Sequence, residues 1–114
     1  MAKKVNKGSK ILISGSLTDN AGTSINFADL VAMSVKLEHS NGTEYETYTK
    51  VGGTIVAGDT ADDYEFEITV AHSDAFATGL IFGIFTLTVT DADFSDSEAV
   101  YEVTQTLLNV QDKS

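Results

Sequence analysis

The segment Gly79–Thr90 (GLIFGIFTLTVT) constrains the fold more than any other part of the chain. In its second half Phe85, Leu87 and Val89 are separated by single threonines. Successive side chains of a β-strand point to opposite faces, so this alternation predicts a strand with one buried face. The same two-residue period recurs from end to end, and we find no convincing helix. We therefore expect an all-β protein.

Turn-forming residues divide the alternating pattern into about seven short strands. They are predicted at residues 10–17, 33–37, 44–51, 54–57, 64–70, 79–90 and 98–110. Short strands with turns about every eight to twelve residues are typical of an immunoglobulin-like antiparallel β-sandwich. The chain has neither cysteine nor tryptophan, so this would be a variant without the antibody hallmarks. A jelly roll or a small β-barrel is the alternative.

Three local signals refine this prediction. Asn41-Gly42 between two alternating runs predicts a hairpin with a type I′ turn, which needs positive φ at both central residues. Residues 71–78 are predicted to form a helical turn or corner, with Phe76 tucked under the sandwich. The apolar phase changes within the last strand, which predicts a β-bulge or a change of sheet near residues 105–107.

The buried face is expected to combine several strands into one core. Its predicted members are Val35, Leu37, Tyr64, Phe66, Ile68, Val70, Phe85, Leu87 and Val89. Leu80, Ile81, Phe82 and Ile84 differ, because they place apolar residues on both faces of one strand. Either that strand is central and covered on both sides, or one face meets another subunit.

Charge is distributed unevenly. The chain carries seven lysines, no arginine and seventeen acidic residues, a net charge of −10. Four lysines lie within the first ten residues, which leaves −14 on the rest; they are Lys3, Lys4, Lys7 and Lys10. An acidic body without arginine repels phosphate, so we expect no nucleic-acid binding through the folded surface.

The length of 114 residues fits one domain. We expect residues 1–9 to be a flexible basic arm, solvated or touching an acidic partner or a second copy. Residues 10–111 are predicted to form a single β-sandwich domain, and residues 112–114 a tail. No apolar segment of a secretory signal follows the charged start, and nothing approaches a membrane span. We therefore expect synthesis in a cytoplasm and no membrane contact.

The sequence contains few candidate catalytic residues. His72, Ser73 and Asp74 are the residue types of a hydrolytic triad, but sequence neighbours cannot converge as a triad requires. His39 and Asp29 are too scattered to complete such a site. We expect Asp74 to cap a helical turn, and no catalytic residue.

Metal ligation is also weakly indicated. Asp91, Asp93, Ser95 and Glu102 match positions one, three, five and twelve of a calcium loop, but position six is Asp96 instead of glycine. A weaker loop site that includes acidic residues of 59–63 is the alternative to a solvated hairpin tip. We expect no metal and no cofactor.

The segment GSLTDNAGTSINFADLVAMSVKLEHSNG resembles the start of the immunoglobulin-like modules of bacteriophage upper-baseplate proteins and related virion components. A polar turn, a short D-L connection and a V-x-L strand follow one another there. The matching positions are Asp19, Gly22, Ile25, Asp29, Leu30, Val35, Leu37 and Gly42, and residues 83–89 resemble the later G-x-Y-x-L-x-V strand.

This resemblance implies a non-catalytic virion protein: a capsid decoration or auxiliary subunit, or a tail or connector module. It would be made in the host cytoplasm and bind other virion proteins or copies of itself. The assembly contacts that we predict are Lys3, Lys4, Lys7, Leu80, Phe82 and Ile84. A bacterial module that binds glycan or protein through its loops is the alternative.

Overall fold

Eight β-strands account for most of the residues that the computed structural model describes, which are 3–18, 22–91, 93, 95 and 98–112. The strands are β1 Lys3–Asn6, β2 Ile11–Ser16, β3 Leu30–His39, β4 Glu44–Thr49, β5 Ile55–Ala57, β6 Asp63–Ile68, β7 Gly79–Thr90 and β8 Glu98–Gln111. A 3₁₀ turn covers Phe27–Asp29, and the helix α1 covers Val70–Asp74.

The strands form two sheets that pack face to face. The larger sheet has the order β1-β8-β7-β3-β4, and the smaller has the order β2-β6-β5. All pairs are antiparallel except β1 with β8. The chain crosses between the sheets after β1, β2, β4 and β6, which is the strand order of an immunoglobulin-like sandwich. The predicted all-β sandwich is confirmed.

The strand β1 was not among the seven predicted strands, and it lies where we expected a flexible basic arm. Lys3–Asn6 pairs in parallel with Leu108–Gln111, and Val5 packs against the core. The Lys7 amide also donates to the carbonyl oxygen of Gln111, over 2.9 Å. These residues are therefore an edge strand, because backbone pairing and one apolar side chain outweigh the solvation of the lysines. Residues 1, 2, 113 and 114 lie outside the described part.

The core lies between the two sheets. Its buried apolar residues are Ile11, Ile13, Leu17, Phe27, Leu30, Met33, Val35, Leu37, Tyr48, Ile55, Tyr64, Phe66, Ile68, Phe76, Ile81, Phe85, Leu87, Leu108 and Val110. Two residues of the predicted core differ from the rest. Val70 is 53 % exposed because it begins α1 instead of continuing β6, and Val89 is only partly buried.

A β-bulge in β8 explains the predicted change of phase. Ile81 pairs with Leu108, whereas the next residue, Phe82, pairs with Thr106, so Leu107 is the additional residue. A Cβ atom on Gly83 would lie only 2.5 Å from Cδ1 of Leu107. The missing side chain of Gly83 thus leaves the space into which the bulged leucine packs.

The predicted β3–β4 hairpin is present, but its turn differs. The amide of Gly42 donates to the carbonyl of His39 over 2.8 Å, which centres the turn on Ser40 and Asn41 instead of on Asn41-Gly42. Gly42 follows the turn with a φ of 95°, a conformation that glycine adopts without strain. The Asn41 side chain accepts from the Thr43 amide, which holds the turn closed.

Candidate interaction surface

His72, Ser73 and Asp74, the residue types of a hydrolytic triad, all lie in α1. Thr69, not Asp74, caps this helix: its Oγ1 accepts from the His72 amide over 3.2 Å, and Asp74 is the last helical residue. Ser73 is fully buried, and its Oγ accepts from the Gly8 amide over 3.0 Å. The serine hydroxyl therefore fixes the turn after β1 to α1.

His72 points in another direction, toward β4. Its Nδ1 lies 3.0 Å from the hydroxyl of Tyr48, and its Nε2 lies 3.9 Å from a carboxylate oxygen of Glu46. Tyr48 is buried and stacks on Phe66 at 4.8 Å between ring centroids. Burial, and then the charge of Glu46, raises the pKa of Tyr48 to about 12. The hydroxyl therefore stays protonated at neutral pH while it shares a hydrogen bond with Nδ1 of His72.

The second histidine connects the β3–β4 turn to the start of β7. Nε2 of the buried His39 lies 2.8 Å from the carbonyl of Thr78, and Nδ1 accepts from the Asn41 amide over 3.0 Å. Nε2 carries the proton in this arrangement, because a carbonyl can only accept. Both ring nitrogens of His39 are thus engaged in backbone contacts.

The acidic loops hold their carboxylates in local hydrogen bonds. Thr60 donates to Asp62 over 2.7 Å, and this bond is the main cause of a lowered pKa of Asp62. Ser16 donates to Asp63, and the Asp93 amide donates to Asp91. Within the described residues, no group of three or more His, Cys, Asp or Glu side chains is placed to hold a metal ion. Asp19 and Asp96, named from the sequence, lie outside those residues.

The apolar residues on both faces of β7 have a different explanation. β7 lies between β3 and β8, and its inward residues, such as Ile81, are buried. The outward residues are Leu80, which is 39 % exposed, and the half-buried Phe82 and Ile84. No described element packs over this side of the five-stranded sheet. β7 is therefore central within its sheet but covered on one face only.

Charged residues flank this apolar row. Ile84 lies opposite Lys36 on β3, and Phe82 lies opposite Glu38. Lys36 donates to Glu44 over 2.7 Å, and that hydrogen bond, helped by the charges of Glu38 and Glu102, raises the pKa of Lys36. We call the surface formed by Lys36, Glu38, Glu44, Leu80, Phe82, Ile84 and Glu102 the outer face. One lysine against three glutamates makes it acidic.

The six residues that we predicted as assembly contacts do not form one surface. Leu80 pairs with Asn109 of β8, which also pairs with Lys4, so Lys4 shares the side of the outer face. Lys3 instead borders a cleft between the sheets, and Lys7 follows β1. The sequence did not reveal that cleft, since it depends on where β1 begins beside β8.

The protein is thus an all-β sandwich, and within its described residues the outer face is left uncovered. No family model matches the chain, and no curated protein matches it. No helix in the described ranges is both long enough and apolar enough to cross a membrane.

Proposed function

We propose that this protein is a non-catalytic structural subunit of a bacteriophage virion, either a capsid decoration or auxiliary subunit or a tail or connector subunit. It would be made in the host cytoplasm and bind a neighbouring virion protein through the outer face. The observation that carries this proposal is the uncovered row of Leu80, Phe82 and Ile84 on a central strand. The sequence resemblance to virion immunoglobulin-like modules supports it.

The physical basis of binding would be apolar burial with charge complementarity. Covering apolar surface contributes about 25 cal/mol per Å² removed from water. The three glutamates around Lys36 favour a partner with an apolar centre and basic residues at its rim. A second copy would instead bring the same acidic residues against them. The outer face therefore suits a different protein better than a second copy.

The side chains with catalytic potential support a non-catalytic role, because each holds the fold together. Ser73 is buried against Gly8, and His39 bridges two backbone groups. His72 contacts the buried Tyr48. No nucleophile and base are paired among these residues.

The test compares one substitution on the outer face with a matched control. Phe82→Glu places a charge within the row, whereas Leu12→Glu changes a 51 % exposed leucine on the smaller sheet. We expect both variants to fold, and only Phe82→Glu to be lost from particles purified after complementation of the phage, because an unpaired charge at an interface costs several kcal/mol. Wild-type chain absent from the particles, or Phe82→Glu retained at wild-type copy number, would contradict the proposal.

A polar cleft favours the second candidate, a bacterial module that binds glycan or protein through its loops. The cleft has a volume of about 540 Å³ and is lined partly by Asn26, Asp29, Asp91 and Tyr101. Hydroxyl-rich ligands pair with such amide, carboxylate and phenol groups. Saturable NMR shifts at Asp91 and Tyr101 on titration with oligosaccharides, without any at Phe82, would favour this function over the first.

A further inference from the structure

The inner face of β8 is incompletely covered by the smaller sheet. Val103 pairs with Phe85 of β7, and Tyr101 pairs with Leu87. Directly opposed residues of an antiparallel pair point to the same face of the sheet, so these two residues of β8 lie on the core side with their buried partners. Val103 is nevertheless 44 % exposed. An apolar side chain on the core side of the sheet therefore borders open space.

That space is a cavity of about 160 Å³ at the edge of the core. Both sheets contribute to its walls, which are apolar or aromatic for the most part and include Leu17, Tyr64, Phe85, Leu87, Tyr101 and Val103. Val103 is the most exposed of these residues. The cavity therefore opens to solvent beside β8.

The volume of the cavity limits what it can hold. Pockets for drug-sized ligands measure about 300–1,000 Å³, so this cavity is too small for such a molecule. A protein cavity of about 150 Å³ lined by leucine, isoleucine and phenylalanine binds benzene. The cavity beside β8 has a similar volume and similar walls. It is thus the right size for one six-membered ring.

One polar group on the wall has no partner within the protein. Tyr64 is only 6 % exposed, and its hydroxyl makes no hydrogen bond with any described residue. Among those residues, no buried polar side-chain atom lacks both a partner and access to solvent, so this hydroxyl reaches open space. Burial raises the pKa of Tyr64, and the hydroxyl is therefore protonated at neutral pH. A ligand in the cavity can exchange a hydrogen bond with it.

We propose that this cavity binds a phenol, a single aromatic ring whose hydroxyl exchanges a hydrogen bond with the hydroxyl of Tyr64. The ring would pack against Phe85, Leu87 and Val103. The site lies on the inner face of β8 and includes no residue of the outer face. It therefore stands independently of the function proposed above.

The walls favour a phenol over other single rings. A ring without a polar substituent would leave the buried Tyr64 hydroxyl unpaired, which costs affinity. A carboxylate on the ring would lose its hydration, and no lysine is among the described lining residues to compensate for this. An aromatic ring also suits the cavity, because Tyr64 and Phe85 already meet edge to face at 5.7 Å between centroids.

The first test is an NMR titration of the full chain with p-cresol and with toluene, which lacks the hydroxyl. We expect saturable shifts of the Leu87 and Val103 methyl groups with both, and about tenfold weaker binding of toluene. Asp91 lines the separate polar cleft and should not shift. Absence of saturable shifts at Leu87 and Val103 would overturn the proposal, as would equal affinities for the two compounds.

The second test removes the hydroxyl from the protein instead of from the ligand. In Tyr64→Phe, the affinity for p-cresol should fall to that for toluene, whereas the affinity for toluene should not fall. Tyr48→Phe is the matched control, because Tyr48 is also buried but bonds to His72. It should bind p-cresol like the wild type. Equal losses in the two variants would show that Tyr64 does not contact the ligand hydroxyl.

The third test fills the cavity. Val103→Phe should abolish p-cresol binding, and Val100→Phe should leave it unchanged, because the 64 % exposed Val100 lies on the other face of β8. Circular dichroism should show both variants folded. Wild-type affinity in Val103→Phe would overturn the proposal.

A free phenol and the tyrosine side chain of a neighbouring protein carry the same chemistry, and N-acetyltyrosinamide distinguishes these two sources. Binding of N-acetyltyrosinamide as tight as that of p-cresol would support a tyrosine side chain as the occupant. Its exclusion, together with binding of p-cresol, would support a free phenol. Failure of both compounds to bind would overturn the site itself.

Discussion

The two faces of β7 carry similar apolar residues but differ in what covers them. On the inner face, Ile81 and Phe85 are buried against the smaller sheet. On the outer face, Phe82 and Ile84 alternate with them and meet only neighbours within their own sheet. The comparison shows that alternation identifies a strand's faces, whereas apolar composition alone does not show whether a face is filled from within the chain.

The largest expected effect on stability comes from a residue of the core between the two sheets, Phe66 of β6. Phe66 is 2 % exposed and stacks with both Tyr48 and Tyr64. Phe66→Ala should lower the free energy of unfolding by roughly 3–5 kcal/mol, the range for truncating a buried aromatic. Urea unfolding measures this, with the exposed Val56→Ala as control. A loss below about 1 kcal/mol would place Phe66 outside the core.

The next effect tests the contact between Gly83 and the bulge. Gly83→Ala puts a Cβ atom 2.5 Å from Cδ1 of Leu107 and 2.9 Å from Cε1 of Phe85, so a side chain has to move. We expect a loss of about 1–3 kcal/mol. Combining Gly83→Ala with Leu107→Ala should cost less than the sum of the two single changes in urea unfolding. Simple additivity would show that the two positions do not interact.

We expect the stability to depend on pH because of Tyr48, which is buried in the core. The pKa of Tyr48 is raised from 10 to about 12, chiefly by burial. Above pH 10 the unfolded chain loses this proton and the folded chain keeps it, so stability falls as the pH rises toward 12. Below pH 10 the contribution is fully present. Urea unfolding at several alkaline pH values should show a shallower fall for Tyr48→Phe, and an unchanged fall would exclude Tyr48 as a source.

The smallest effect is expected on the outer face. Phe82→Ala removes contacts with cross-strand neighbours such as Glu38 and Thr106 but opens no cavity. We expect a loss below about 1 kcal/mol, the size of a cross-strand pair. Phe85→Ala, three residues along the same strand, is the matched comparison and should cost several times more. Equal losses in calorimetry or urea unfolding would mean that the outer face is covered after all.

Much of the fold could be predicted from the sequence, because apolar and polar residues alternate along every strand that buries only one of its faces. The hairpin after His39, the burial of Phe76 and the bulge at Leu107 were all indicated by local pattern. The exact turn was not, since the Asn41-Gly42 pair also suits a turn centred one residue earlier.

Features that depend on pairing between strands far apart in the sequence could not be predicted. β1 is only four residues long, and its lysines resemble a solvated terminus until Leu108–Gln111 is placed beside it. Val70 continues the alternation of β6 in sequence, but the cap at Thr69 starts a helix there. For the interaction surface, the sequence indicated Leu80, Phe82 and Ile84, while the acidic neighbours on β3 and β4 required the register.

The parallel pairing of β1 with β8 has a mechanical consequence. Tension applied between Lys3 and Gln111 would pull these two strands past each other along their length. The hydrogen bonds of a parallel pair are evenly spaced, so such a shearing load is shared among them, whereas peeling breaks bonds one after another. The Lys7–Gln111 bond and the Ser73 contact to Gly8 lie at the loaded end. The sandwich is thus built to resist stretching along the line of its first and last strands.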